Sequence, residues 1–262
     1  MLDAASISIT QRERDAARLP RTSRQQNKQM SETEGFILVG GASRRMGRDK
    51  AELKLGEIDF VQRIAQSLRA VTNSVRLVGS KVNERRWSIP LVRDRYVGCG
   101  ALGGLHAALA ACQAEWALIV ACDLPFVSPP FLRLLAERTA PDHEAVVPLQ
   151  RDARPQPLCA LYRREPCLAA VAELLERGER RVHALLANLQ RVRTVTWEEY
   201  AALPSSEWLL FNVNSPGDYA RACALLASGR FDVARSPTAE HTRARFAGGE
   251  SSAEENADHS SL

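Results

Sequence analysis

Residues 35–50 read Gly-Phe-Ile-Leu-Val-Gly-Gly-Ala-Ser-Arg-Arg-Met-Gly-Arg-Asp-Lys, an apolar run followed at once by a glycine-rich basic loop. The run over 35–39 is short and apolar, which is typical of a strand buried on both faces of a sheet. The glycines after it let the backbone approach a ligand and point N–H groups at an anion. Four cations follow: Arg44, Arg45, Arg48 and Lys50. This loop predicts a polyphosphate cradle, although it lacks the Gly-Lys-Ser/Thr ending of a Walker A loop.

Apolar runs alternate with amphipathic stretches along the rest of the chain. We predict strands over 35–39, 74–78, 90–93, 116–121, 144–148, 157–162, 191–196 and 208–211. We predict helices over 59–71 (with Asp59 as N-cap), 103–112, 128–138, 166–177, 181–188 and 215–226. Apolar strands that alternate with helices favour an α/β, Rossmann-like three-layer fold with a mostly parallel sheet. Ligands of such sheets bind beyond the carboxyl ends of the strands.

The two ends of the chain differ from its middle. Residues 1–34 and 228–262 are polar and lack the apolar periodicity that would bury a face. We therefore expect a disordered N-terminal tail over 1–34, a domain over 35–227 and a disordered C-terminal tail over 228–262. Translation from Met30 would leave that domain intact.

Composition excludes several classes of protein. No apolar run reaches the roughly 18 residues of a transmembrane helix, and the first residues contain no apolar signal segment. A net charge of +4 is too small to indicate a nucleic-acid binder. The six cysteines form no Cys-x-x-Cys pair, which fits reduced thiols in a cytosolic protein. We expect a cytoplasmic protein without a membrane or nucleic-acid partner.

Asp123 is the candidate metal ligand. It follows the predicted strand over 116–121 and opens Asp-Leu-Pro, so its carboxylate projects from the carboxyl edge of the sheet. A Mg²⁺ ion on a nucleoside triphosphate commonly takes only one or two protein carboxylates, with phosphates and waters completing its shell. One well-placed Asp is therefore sufficient.

Two further motifs carry polar chemistry. Gly178-Glu-Arg-Arg-Val182 places two adjacent arginines, Arg180 and Arg181, at the start of a helix, which suits a phosphate monoester. Asn212 and Asn214 stand two residues apart at the end of the predicted strand over 208–211, and so would project to the same face.

A rival interpretation comes from residues 98–103, which read Gly-Cys-Gly-Ala-Leu-Gly. This is a literal G-x-G-x-x-G, the fingerprint of a dinucleotide-binding dehydrogenase. The glycines do not follow a strong strand directly, and this interpretation leaves the loop over 40–50 without a role. We therefore disfavour an oxidoreductase.

Taken together, these motifs resemble the MobA-like molybdenum cofactor guanylyltransferases, within the nucleotide-diphospho-sugar transferase type of fold. The resemblance covers Leu38 to Lys50, Cys122-Asp-Leu-Pro125, Gly178-Glu-Arg-Arg-Val182 and Phe211-Asn-Val-Asn-Ser-Pro216, all in family order. It departs from the family at Val39, which replaces an Ala, and at Ala101, which replaces a Pro. Gly79 stands where family members can carry an Asn that reaches the base, so base identity rests on other groups.

The resemblance implies a role for each site residue. Nucleotide contacts are expected from Leu38, Val39, Gly40, Gly41, Lys50, Gly79, Asp94 and Asp123. Arg45 and Lys50 would neutralise the triphosphate and the departing pyrophosphate, and Asp123 would hold Mg²⁺. The pterin substrate would be bound by Arg180, Arg181, Asn212 and Asn214.

The implied reaction is transfer of GMP from GTP to the phosphate of molybdopterin, with release of pyrophosphate. Transient contact with molybdopterin-loading proteins and molybdoenzyme chaperones would follow from the product. Two alternatives stay open. One is a cytidylyltransferase that acts on molybdopterin or on a sugar or polyol phosphate. The other is a non-catalytic nucleotide-binding regulator.

Overall fold

The computed structural model describes residues 32–40, 52–80, 86–96 and 98–229. Its strands are β1 Thr33–Leu38, β2 Lys54–Leu55, β3 Ile58–Asp59, β4 Val75–Val78, β5 Leu91–Val92, β6 Trp116–Ala121, β7 Ala145–Pro148, β8 Cys159–Arg163 and β9 Val192–Val195. Its helices are α1 Phe60–Arg69, α2 Gly100–Ala111, α3 Pro129–Ala136, α4 Arg164–Glu176, α5 Val182–Asn188, α6 Trp197–Tyr200 and α7 Pro216–Ala227, with a 3₁₀ helix over Ser206–Trp208.

Seven strands form one sheet in the order β5-β4-β1-β6-β8-β7-β9. Neighbouring strands are parallel except at β8, which pairs antiparallel with both β6 and β7. In the central pair, Leu38 of β1 lies opposite Ala121 of β6. The carboxyl ends of these two strands therefore meet at one edge of the sheet. The prediction of a mostly parallel α/β sheet is confirmed.

Alternate side chains of the central strands enter two separate cores. Phe36 and Leu38 pack with α2, α4 and α5 on one face. Ile37 and Val39 pack with α1 and α3 on the other. Because both faces are covered by helices, β1 is apolar from Phe36 onward and β6 is apolar along its whole length, and the fold has the three layers that we expected.

Helix α1 is fixed at its start by a capping box. The side chain of Asp59 accepts the Gln62 N–H at 2.9 Å, and the Gln62 side chain accepts the Asp59 N–H. The second oxygen of Asp59 accepts the indole N–H of Trp87 at 2.7 Å. The predicted N-cap is therefore confirmed, and Asp59 also ties α1 to the segment before β5.

A small third core lies beside the main sheet. The antiparallel ribbon β2–β3 turns at Gly56, whose φ of +66° favours glycine. Helix α7 covers the ribbon, with Leu55 and Leu225 in the shared core. The hydroxyl of Tyr219 donates to the carbonyl of Lys54 at 2.8 Å.

The structure corrects three expectations. Thr33 and Glu34, which we assigned to the tail, are buried and begin β1. The ribbon β2–β3 was not predicted. The strand over 208–211 was wrong, because this apolar segment follows the 3₁₀ helix as a turn and bonds to no sheet. Apart from residues 32–34 and 228–229, the predicted tails lie outside the described residues. None of the helices described combines the length and the apolar character that a membrane crossing requires.

Candidate active site

The carboxyl ends of β1 and β6 form the centre of the candidate site. The N–H of Val39 donates to the carbonyl of Val78 at 2.8 Å, and the N–H of Cys122 donates to the carbonyl of Leu38 at 3.0 Å. These bonds continue the sheet by one residue beyond the strands. Gly40 then leaves the sheet, exposed and with a φ of +130°, a conformation that only glycine adopts readily. The sheet uses these backbone groups of Leu38 and Val39, so the first exposed backbone at this point is that of Gly40.

Most of the predicted phosphate cradle lies outside the described residues. Gly41, Arg45 and Lys50 lie outside the described residues, as do Arg44 and Arg48. The chain leaves the sheet at Gly40 and is described again from Glu52.

Asp123 is placed beside Gly40 by the pairing of β1 and β6. It follows Ala121 by two residues, and its side chain is partly exposed. Its backbone carbonyl accepts the N–H of Val213 at 2.9 Å, which ties the segment after the 3₁₀ helix to the end of β6. Gly40 and Asp123 therefore lie at the same edge of the sheet.

A carboxylate at this position fits a magnesium ion brought by a triphosphate. Carboxylate oxygen is a hard donor of the kind that Mg²⁺ prefers. Across the described ranges, no three His, Cys, Asp or Glu side chains cluster to form a metal cage. A single carboxylate at Asp123 matches the one or two protein carboxylates that a nucleotide-bound magnesium ion commonly takes.

Gly79 and Asp94 lie on the β4–β5 side of this centre. The buried Gly79 donates its N–H to the carbonyl of Val92 at 3.1 Å, which joins the ends of β4 and β5. The carboxylate of Asp94 accepts the N–H of Tyr96 at 2.8 Å. Burial raises the pKa of Asp94, while that hydrogen bond and the nearby His106 oppose the rise.

The glycines of the rival fingerprint have structural roles. Gly98 and Gly100 have φ values of +85° and +61°, so they form the turn into α2. Gly103 lies where a β-carbon would be 2.9 Å from the carbonyl oxygen of Tyr96. Residues 93–97 separate these glycines from β5, which has two residues and lies at the edge of the sheet. The pattern therefore builds a close loop–helix contact and lacks the strand–turn–helix context of a dinucleotide fold.

The two arginines of the 178–182 motif have different partners. Arg181 makes two bonds to the carboxylate of Glu179, from Nε at 3.0 Å and from Nη2 at 2.8 Å. The backbone N–H groups of Arg180 and Arg181 also donate to that carboxylate. Together these bonds, the Arg181 side chain first, lower the pKa of Glu179 to about 2. Arg180 instead directs Nη1 towards the carbonyl of Gly98, 3.5 Å away. Of the pair, Arg180 is the better candidate for an incoming phosphate.

The two asparagines do not share a strand face. Asn212 is partly buried, and its side-chain nitrogen lies 3.5 Å from the carbonyl of Leu210. Asn214 is exposed, and its backbone N–H donates to Asp218 at 3.1 Å, within the capping region of α7. The expectation of one shared face rested on the strand over 208–211, which is absent from the described structure.

A cavity of about 320 Å³ opens beside Asn212. Its lining includes Gln150, Arg151, Trp197, Tyr200 and Glu207. Sequence reasoning missed this feature, because its walls come from two regions that are distant along the chain, residues 150–152 and residues 197–212.

Comparisons with known proteins agree on one group. Residues 35–193 match the family model described as MobA-like NTP transferase domain. A protein of Pelotomaculum thermopropionicum named probable molybdenum cofactor guanylyltransferase is 35% identical over 202 residues, covering 77% of this chain and 97% of that protein. The molybdopterin-guanine dinucleotide biosynthesis protein A of Archaeoglobus fulgidus has a similar structure, with a TM-score of 0.64 and 25% identity, covering 74% of this chain and 99% of that one. The 2-C-methyl-D-erythritol 4-phosphate cytidylyltransferase of Thermus thermophilus shares the fold, with a TM-score of 0.54 and 16% identity over 73% of this chain and 98% of that one.

Proposed function

This chain belongs to the MobA-like NTP transferase family, and we propose that it transfers GMP from GTP to the phosphate of molybdopterin. The products would be pyrophosphate and the guanine dinucleotide form of the cofactor. The observation that supports the proposal is that Asp123 and Gly40 follow paired strands and lie at the same edge of the sheet. The chain also aligns over 202 residues with a protein named probable molybdenum cofactor guanylyltransferase.

The reaction needs no covalent enzyme intermediate. An oxygen of the molybdopterin phosphate attacks the α-phosphorus of GTP, the bond from the α-phosphorus to the bridging oxygen breaks, and pyrophosphate leaves with the electron pair. The protein therefore contributes positioning and charge neutralisation. Arg45 and Lys50 would neutralise the triphosphate, and Asp94 would contact the nucleoside.

Magnesium is part of this proposal. Asp123 would hold Mg²⁺ at the triphosphate, and the bound ion would neutralise the charge that develops on the phosphate oxygens. Arg180, which lies near the carbonyl of Gly98, would orient the molybdopterin phosphate. Delivery of the product would involve transient contact with molybdopterin-loading proteins and molybdoenzyme chaperones.

A cytidylyltransferase is the second candidate, because Gly79 offers no side chain to select a base. The likeness to the Thermus cytidylyltransferase is confined to the fold, whereas the relative at 35% identity is named as a guanylyltransferase. GTP is therefore the nucleotide that we propose.

The test is a turnover assay with the full chain, Mg²⁺ and molybdopterin, in which GTP, CTP and ATP are compared by release of pyrophosphate. We expect turnover with GTP and formation of the guanine dinucleotide. Turnover with CTP alone would identify a cytidylyltransferase. Binding of GTP without release of pyrophosphate would identify a nucleotide-binding regulator.

Thermal unfolding gives a parallel measurement that does not need the pterin. A nucleotide at 100 times its dissociation constant stabilises the folded state by about 2.7 kcal/mol. GTP should raise Tm more than CTP, ATP or NAD⁺. A response to NAD⁺ alone would contradict the proposal and favour the rival glycine motif.

A further inference from the structure

One arginine joins the segments that follow β1 and β4. Glu52 is the first described residue after 41–51, and Arg86 is the first described residue after 81–85. Arg86 forms ion pairs with Glu52 and with Asp59, the N-cap of α1. The far ends of both segments are therefore tied to the start of one helix.

The guanidinium of Arg86 spans two carboxylates. Its Nε lies 3.6 Å from Oδ2 of Asp59, and its Nη1 lies 3.5 Å from Oε1 of Glu52. Because these contacts use different nitrogens of one planar group, a single arginine sets the separation of the two carboxylates. A lysine offers one compact ammonium and lacks this fork.

Asp59 is the fixed side of the bridge. Its side chain is 5% exposed; Oδ1 accepts the N–H of Gln62, and Oδ2 accepts the indole N–H of Trp87. The guanidinium of Arg86 also lies over the ring of Trp87, 5.5 Å from the centroid. Arg86 is therefore supported by α1 and by Trp87, whereas the side chain of Glu52 is 49% exposed. Glu52 is the partner that the bridge positions.

Glu52 stands between the predicted phosphate cradle and the ribbon β2–β3. The ribbon is already held by α1, since Nη2 of Arg63 donates to the carbonyl of Leu55 at 3.1 Å. On the other side of Glu52, Lys50, an expected triphosphate contact, stands two residues earlier in the chain. Two residues span at most about 7 Å, so the position of Glu52 limits where the Cα of Lys50 can lie.

We propose that Arg86 is a positioning residue for nucleotide binding, which acts by bridging Asp59 and Glu52 at the end of the phosphate cradle. The proposal rests on the proposed function, since it assigns a supporting residue to the nucleotide site of that reaction. Gly79, an expected nucleoside contact, stands seven residues before Arg86, in the segment that follows β4. The same bridge thus joins two segments that are both expected to contact the nucleotide.

The sign of one substitution separates positioning from simple electrostatics. Glu52→Gln removes a negative charge two residues from an expected triphosphate contact, and by charge alone this change would strengthen GTP binding. If the bridge positions the cradle, Glu52→Gln weakens GTP binding instead. Arg86→Lys keeps the positive charge but cannot hold both carboxylates, so it should also weaken binding.

The experiment measures the dissociation constant of GTP with Mg²⁺ by calorimetric titration of the full chain, and KM and kcat by turnover. We expect Glu52→Gln and Arg86→Lys each to raise the dissociation constant and the KM for GTP about twofold to fivefold. The value of kcat at saturating GTP should stay at that of the wild-type chain. The double variant should bind GTP as well as Arg86→Lys does, because both substitutions break the same bridge.

Two matched controls remove charges that lie outside the bridge. Glu57→Gln changes an exposed carboxylate at the turn of the ribbon, and Arg69→Lys changes an exposed arginine at the end of α1. Neither should weaken GTP binding. Urea unfolding without nucleotide shows that each variant is folded and measures any loss of stability.

Four results would overturn the proposal. They are equal or tighter GTP binding by Glu52→Gln, wild-type affinity in Arg86→Lys, additive losses in the double variant, and an equal loss in Glu57→Gln. A lower urea midpoint with an unchanged KM for GTP would show that Arg86 is only structural. If the wild-type chain transfers GMP and one of these results is found, only the role of Arg86 fails. If it binds GTP but transfers no GMP, the proposed function fails, and the titrations still decide the role of Arg86.

Discussion

The carboxylate of Asp94 lies so close to Gly103 of α2 that a β-carbon there would be 3.1 Å from both of its oxygens. The same β-carbon would be 2.9 Å from the carbonyl oxygen of Tyr96. Gly103 is therefore needed for close packing rather than for an unusual backbone angle. Through it, the body of α2 sets the position of the Asp94 carboxylate at the β5 end of the sheet.

Two neighbouring glycines make this relationship testable. Gly103→Ala should displace Asp94, weaken GTP binding and lower the free energy of unfolding by about 1–3 kcal/mol, because the backbone at Tyr96 cannot move away cheaply. Gly104→Ala is the matched control, since its β-carbon would lie 3.6 Å from a methyl group of Leu38, an ordinary contact. As alanine favours helix, the control should stabilise the chain by about 0.5–1 kcal/mol. Urea unfolding and GTP titration measure both effects, and similar results for the two variants would contradict this account.

Asp123→Asn should abolish most turnover without loss of fold. The amide keeps the size of the side chain but removes the charge that would hold Mg²⁺, so kcat should fall by about 10²-fold or more. Asp142→Asn, at an exposed loop carboxylate, serves as the control. Initial rates measured across a range of Mg²⁺ concentrations test the assignment, which unchanged activity at limiting Mg²⁺ would refute.

Arg180 and Arg181 should have unequal effects on the second substrate. Arg180→Ala should raise the KM for molybdopterin about tenfold or more, because a charged hydrogen bond to phosphate is lost. Arg181→Ala should raise it less, since that side chain is exposed and engaged with Glu179. Steady-state kinetics at saturating GTP distinguish the two. A larger effect at Arg181 would show that its pairing with Glu179 is broken in the substrate complex.

The Glu179–Arg181 pair should be insensitive to pH in the working range. The pKa of Glu179 is lowered to about 2 from 4.5, so the carboxylate is charged throughout that range. The contribution of the pair is present above the ordinary pKa and is lost only as pH falls towards 2. The KM of Glu179→Gln for molybdopterin, divided by that of the wild-type chain, should therefore stay constant from about pH 5.5 to about pH 8. A ratio that approaches one at the acidic end of this range would be inconsistent with the pairing.

His106 should make the fold sensitive to mild acid. Burial first, and then the charge of Arg95, lower its pKa below 6.5, against the opposing effect of Asp94. The folded chain then holds a neutral imidazole, while the unfolded chain takes up a proton more readily, so stability falls as pH drops through about 6.5. His106→Gln should flatten the loss of stability between about pH 7.5 and about pH 5.5, whereas the exposed His183→Gln should not. Urea unfolding at each pH provides the measurement.

Asp59 should contribute strongly to stability, since one carboxylate caps α1 and accepts the Trp87 indole. Asp59→Ala removes the cap and leaves a buried N–H without its acceptor, which together should cost about 2–4 kcal/mol. Asp59→Asn keeps a capping oxygen and should cost less. Denaturant unfolding midpoints should be highest for the wild-type chain, lower for Asp59→Asn and lowest for Asp59→Ala. Equal midpoints for the two variants would show that the capping oxygen does not contribute to stability.

Local signals explain which parts of the fold could be predicted. The β6 strand over Trp116–Ala121 was predicted with its observed bounds, because six apolar residues stand between turn residues. The cap at Asp59 was predicted because this acidic residue directly precedes a stretch with the apolar periodicity of an amphipathic helix. Such features depend on neighbours in the chain, so the sequence contains all the information that they need.

Features that depend on distant contacts were missed. The apolar run over 208–211 resembles a strand, but it is buried beside the α6 region and bonds to no other strand. Glu179 was passed over in favour of the arginines beside it, since spacing does not show which charges pair. The cavity combines Gln150, Trp197 and Glu207, and only the folded chain brings these residues together.

The reversed strand β8 has a consequence for how such an enzyme could change. In a wholly parallel sheet, the chain leaving β7 would cross back to the far edge before its next strand. Here it turns directly through a hairpin over 149–158, and the tip of that hairpin lies at the edge of the sheet where β6 and β7 end. The tip contributes Gln150 and Arg151 to the cavity while the cores on either face of the sheet stay untouched. Substitutions or insertions in it can therefore reshape this cavity while the ends of β1 and β6 stay in place, so the two regions are free to change separately in evolution.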